Sequence, residues 1–97
     1  MSDRIRRRVL FSGQVQGVGF RYTALRISRG YDVSGFVRNL ADGRVELVAE
    51  GSSDDVHRFI DEVQRAMAPY IGDVSSTDEP ATGTLTAFTI GPSDFDE

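Results

Sequence analysis

Between Asp32 and Met67 the hydrophobic period switches from two residues to about 3.6, and that switch limits the folds open to the chain. Asp32 to Asn39 reads as a strand, and Asp42-Gly43 is a hairpin turn signal. Arg44 to Glu50 then alternates, with Val45, Leu47 and Ala49 on one face and Glu46, Val48 and Glu50 on the other. The two runs predict an antiparallel hairpin with one apolar face. After Gly51 the pattern becomes helical: Val56, Phe59, Ile60, Val63 and Met67 form an unbroken apolar stripe. Ser52 or Ser53 can cap this helix, Asp54 and Asp55 suit its positive end, and Pro69 stops it. A one-faced hairpin followed by a one-striped helix solves the burial problem of both.

The flanks repeat the scheme. Arg6 to Ser12 predicts a first strand with Val9, Leu10 and Phe11 at its heart. Phe20 to Arg29 predicts a helix with Phe20, Ala24, Leu25 and Ile27 on its apolar side and Gly30 as its stop. Residues 70–84 are the least legible, with a strand expected about Asp73 to Thr77. Leu85 to Ile90 reads as the last strand, with Phe88 and Ile90 on one face, and 91–97 as a frayed acidic tail. The order strand, helix, strand, strand, helix, strand is the ferredoxin-like split βαβ pattern. The expected fold is therefore α+β: one antiparallel sheet with two helices on one face. A single domain over 1–97 is expected, with its core about 6–90.

Ninety-seven residues suffice for one core but not two, and 39% hydrophobic with 27% charged residues is ordinary for a globular protein. No apolar run approaches the roughly 18 residues of a membrane span, and the polar start at Met1-Ser2-Asp3-Arg4 carries no apolar signal, so a cytoplasmic location is expected. The chain has no cysteine and one histidine, His57. Disulfides, a thiolate nucleophile and the usual zinc sites are thereby excluded, and phosphate chemistry would have to proceed without a phospho-cysteine or phospho-histidine. Net charge is −4, yet residues 1–50 carry +4 and residues 51–97 carry −8. An electropositive mouth on an acidic protein would draw small anions.

The mouth is where the glycines are. Gly13-Gln14-Val15-Gln16-Gly17-Val18-Gly19-Phe20-Arg21 runs from a strand into a helix. Glycine removes side chains where the backbone bends tightly or approaches a ligand. The amides of Gln16, Gly17, Val18, Gly19 and Phe20 could converge on one tetrahedral anion, with the forked guanidinium of Arg21 completing the clamp. A cation at a helix start opposes the helix dipole unless an anion lies between them. From these residues alone, an anion site and a plain turn with a surface arginine weigh about evenly. Asn39, at the end of its strand, reads most simply as a turn residue before the hairpin.

Two motifs change that balance. Gly13 to Arg21, and Gly35-Phe36-Val37-Arg38-Asn39 followed by Gly43, Val45 and Gly51, resemble the two signatures of the acylphosphatase family, in order and at family spacing. The resemblance extends over about residues 6–90. It implies the ferredoxin-like fold and hydrolysis of small acyl phosphates to a carboxylate and inorganic phosphate. It implies that Arg21 and the loop amides hold the phosphoryl group while Asn39 holds the attacking water. It implies no cofactor and no metal. A carboxylate is a weak base, so its departure needs no strong general acid, which suits motifs without a well-placed His, Asp or Glu.

Other features take plainer readings. Arg4, Arg6, Arg7 and Arg8 lack interleaved aromatics in an acidic protein, so nucleic acid is not expected as a partner and a solvated strand is. Arg38 is expected to point to solvent, and His57 lies off the stripe of its helix. A monomer is the default, with edge-strand pairing as the open possibility. The runner-up function is a non-catalytic ferredoxin-like module that binds an anion or nucleic acid. A third reading is the similar first domain of the larger hydrogenase maturation proteins that use carbamoyl phosphate.

Overall fold

The structure, a computed structural model, describes residues 3–93. Its elements are β1 (Arg4–Gly13), α1 (Phe20–Ser28), β2 (Val33–Asn39), β3 (Val45–Ser52), α2 (Ser53–Ala66), β4 (Ile71–Pro80) and β5 (Phe88–Ile90). Among the described residues no helix is long and apolar enough to cross a membrane. The five strands form one sheet in the order β4-β1-β3-β2-β5. Its first four strands pair antiparallel and carry the expected ferredoxin-like arrangement.

The hairpin forms in the register that keeps Val37 opposite Leu47 and Asn39 opposite Val45. Ser52 caps α2, its hydroxyl accepting from the Asp55 amide at 3.1 Å, with Asp54 and Asp55 in the first turn. One apolar cluster unites Val9 and Phe11 of β1, Val37 of β2 and Val45, Leu47 and Ala49 of β3 with the buried faces of both helices. Both helices therefore cover the same face of the sheet. Phe59 of α2 meets Phe88 of β5 edge-on at 5.0 Å.

The fifth strand departs from the all-antiparallel expectation. β4 spans ten residues at one edge, longer than the segment about Asp73 to Thr77, and the final strand starts at Phe88 rather than Leu85. β5 lies at the opposite edge and runs parallel to β2, with Gly35 opposite Phe88 and Val37 opposite Ile90. The reason is geometric. β4 ends at Pro80, opposite Ile5 near the start of β1, and β2 starts at that same end of the sheet. Residues 81–87 cross that end, so the strand that follows must enter alongside β2 in the same direction. Of the tail, residues 94–97 lie outside the described residues.

The helix-free face holds a second surprise for sequence reasoning. Glu46 and Glu50 alternate outward as expected, yet both are buried. An ion-pair lattice covers them: Arg38 meets Glu46 at 2.7 Å, Glu46 meets Arg8, Arg8 meets Glu79 at 3.0 Å, Glu79 meets Arg6 at 3.1 Å, and Arg6 approaches Glu50 at 3.6 Å. The arginines expected to be solvated thus belong to a lattice that spans four strands. Alternation identifies the face of a strand but not what lies across it, and the carboxylate that joins Arg6 to Arg8, Glu79, comes from β4, the segment least legible in sequence.

Glu50 ends the lattice and anchors the crossover. Its carboxylate, with no exposed surface, accepts from the Thr82 amide at 3.1 Å, the Gly83 amide at 2.6 Å and the Thr82 hydroxyl at 3.1 Å. Burial alone would raise the Glu50 carboxyl above its ordinary range, but the Gly83 and Thr82 donors and Arg6 outweigh it and hold it low. The Arg8 hydrogen bond likewise holds Glu79 low. Carboxyls depressed on folding stabilise the protein above the ordinary carboxylate range and lose that contribution as pH falls through their lower folded values. Glu50→Gln should therefore cost about 1–3 kcal/mol at pH 7. The gap to the unmodified protein should close as pH falls below about 4. Urea unfolding from pH 7 to pH 2 measures this, and a gap independent of pH would contradict the assignment.

Candidate active site

β1 delivers the chain into the glycine loop and α1 receives it. Phe20, the first residue of α1, is 2% exposed and packs on Phe11 of β1 with ring centroids 4.9 Å apart. This contact fixes the first helical turn against the sheet and directs the next residue, Arg21, away from the core. Gly17 and Gly19 have φ of 78° and 81°, and Gly19 is the N-cap of α1 in the left-handed region. A side chain there would be strained by the backbone, although the space around both positions is open. No side chain caps α1, and its first turn has no acidic residue. The amides of Gly17, Val18 and Gly19 make no hydrogen bond among the described residues. A run of uncapped donors at a helix start attracts an anion.

A cavity of about 180 Å³ opens at this point, lined by Val15, Gly17, Gly19, Phe20, Arg21, Tyr22 and Asn39. Among the described residues Arg21 has no carboxylate partner, only a 3.5 Å contact with the Ser93 hydroxyl. Among these residues no carboxylate neutralises its charge. Asn39 faces the helix side of the sheet with Val37, and only 8% of it is exposed. Its side-chain amide has no hydrogen-bond partner among the described residues, yet no buried side-chain polar atom there is left unpartnered. The amide is thus open to the cavity rather than sealed in protein, with both a donor and an acceptor to offer.

Five residues expected at the site line the cavity: Gly17, Gly19, Phe20, Arg21 and Asn39. Gln16 and Val18 do not line it. The Gln16 side chain turns to the hairpin, donating to the carbonyls of Leu40 at 2.8 Å and Arg44 at 3.0 Å. It ties the glycine loop to the turn just beyond Asn39 and so sets the two motifs beside each other. Val18 packs against the core. Val15 and Tyr22 line the cavity without having been singled out from sequence. For Tyr22 a signal existed: it is the aromatic residue of α1 that falls off the Phe20, Ala24 and Leu25 face. Among the described residues no three His, Asp or Glu side chains converge in a metal-binding group.

The sequence and the fold resemble those of known proteins. The family model described as Acylphosphatase matches residues 7–90. An acylphosphatase of Listeria welshimeri is 47% identical over 58 residues, which is 60% of this chain and 62% of that relative, so the match spans about three-fifths of its length. The crystal structure of acylphosphatase from Bacillus subtilis superposes with a TM-score of 0.82 at 30% identity, covering 91% of this chain and 99% of that one. Full-length HypF in its phosphate- and nucleotide-bound form superposes with a TM-score of 0.80 at 25% identity, covering 97% of this chain but 12% of HypF.

Proposed function

The chain belongs to the acylphosphatase family, and from that premise we propose that it hydrolyses small acyl phosphates, with Arg21 and the loop amides holding the phosphoryl group and Asn39 holding the attacking water. One observation carries the reading: a single cavity gathers an arginine, a glycine loop and an asparagine that, among the described residues, have respectively no carboxylate partner, free amides and an unpartnered side-chain amide. A site for phosphate binding alone would need the first two. The third has a use when water must be aimed.

In the proposed reaction the oxygen of water forms a bond to phosphorus as the bond from phosphorus to the acyl oxygen breaks. The carboxylate leaves with the electron pair, and the hydrogens of water end on inorganic phosphate or in solvent. The carboxylate is a good leaving group, so the protein need not supply a strong acid. Its task is positioning and charge stabilisation. Arg21 offers a forked, permanently charged donor to two phosphoryl oxygens, and the amides of Gly17, Val18 and Gly19 address the rest. Asn39 accepts one hydrogen of the water, which directs a lone pair at phosphorus. The amides of Gln16 and Phe20 complete the loop in this reading. A cytoplasmic monomer that needs neither metal nor cofactor and does not engage nucleic acid is part of the same proposal.

Phosphate release from benzoyl phosphate, with chelator present and no metal added, tests it. Release far above buffer that survives the chelator supports the hydrolase. A folded protein no faster than buffer would leave an anion-binding module instead.

A further inference from the structure

We infer that Tyr22 is a platform for the acyl group, favouring acyl phosphates with an aromatic or extended apolar acyl part over acetyl phosphate; this rests on the function proposed above. Tyr22 and Tyr70 are the large hydrophobic residues exposed among the described residues, and Tyr22 is the more open at 69%. The fold does not explain it. α1 buries Phe20, Ala24 and Ser28, and a helix advances about 100° per residue, so Tyr22 stands roughly 200° around from Phe20. Its ring and hydroxyl make no ring contact, hydrogen bond or ion pair with any described residue. Yet it lines the same cavity as Arg21 and Asn39.

Position gives the ring its use. A phosphoryl group held by Arg21 and the glycine loop leaves its acyl substituent at the rim, since the floor is closed by the buried Val15 and Phe20. Tyr22, the neighbour of Arg21 in sequence, supplies an aromatic surface at that rim. A ring with two side-chain torsions also loses little freedom when a flat acyl group covers it. A methyl group, as in acetyl phosphate, is too small to gain much from it.

The test compares kcat/KM for benzoyl and acetyl phosphate in the intact protein, Tyr22→Ala and Tyr22→Phe. Tyr22→Ala should lose about three- to tenfold on benzoyl phosphate, the range of an aromatic contact, and stay within about twofold on acetyl phosphate. Tyr22→Phe should retain both, because the ring and not the hydroxyl is used. Binding of benzylphosphonate and methylphosphonate, measured by calorimetry, repeats the comparison without turnover. A protein that hydrolyses both substrates with an unchanged ratio in Tyr22→Ala overturns the platform alone. Equal losses on both ligands make Tyr22 a structural residue and also overturn it. A protein that turns over neither substrate, yet binds benzylphosphonate more tightly through Tyr22, removes the hydrolase and keeps the platform.

Discussion

Arg21→Ala should lower kcat/KM for benzoyl phosphate by about 10³-fold or more while leaving the fold intact or slightly more stable. The two effects have separate origins. Arg21 sits in the uncapped first turn of α1 without a carboxylate partner among the described residues. There its charge opposes the helix dipole, an interaction of about 0.3–1 kcal/mol in the empty site. Removing it relieves that opposition, so thermal unfolding should shift upward or not at all. Activity goes the other way, because a preorganised donor to a transferring phosphoryl group is typically worth ~10²–10³ and a charged clamp more. Arg21→Lys keeps the charge but loses the fork, and should recover only part of the rate. Loss of activity together with loss of stability would assign Arg21 to the fold, and turnover within tenfold of the intact protein would remove it from the clamp.

Asn39→Ala should lower kcat by about 10²–10³-fold with little effect on inhibition by inorganic phosphate. The side chain has no hydrogen bond to lose among the described residues and opens on the cavity. Its removal therefore leaves the clamp in place and deprives the water of its holder. Arg21→Ala should weaken phosphate inhibition strongly. The contrast separates the two roles: kcat alone for Asn39, kcat and phosphate affinity together for Arg21. Steady-state kinetics with phosphate as product inhibitor provides both numbers. Equal weakening of phosphate binding in the two variants would make Asn39 another ligand of the anion.

Much of this site is legible in the sequence because glycine and the order of elements carry it. Gly17 and Gly19 signal left-handed backbone, Arg21 follows the helix start directly, and Asn39 closes a strand whose register is fixed by its alternation against β3. Gln16 was legible only as part of a motif. Its side chain bonds carbonyls 24 and 28 residues away, and no local pattern encodes such a contact. The same limit applies to the lattice on the helix-free face. Arg6 and Arg8 read as solvated because Glu79 lies in a strand of mostly polar, exposed residues that lacks an apolar face to announce it. The parallel entry of β5 follows from where β4 ends, which is a property of the assembled sheet. Tyr22 stood in plain view as an aromatic on the wrong side of a helix, and only the cavity gives that position a meaning.

In the proposed reaction water attacks phosphorus held at the mouth of α1. Hydrolysis of benzoyl phosphate in ¹⁸O-labelled water, with mass analysis of both products, tests it most directly. One labelled oxygen per phosphate released and none in benzoate is expected, with the same pattern at a much lower rate in Asn39→Ala. Label in benzoate would mean attack at the acyl carbon, and the clamp described here would then hold the wrong end of the reaction.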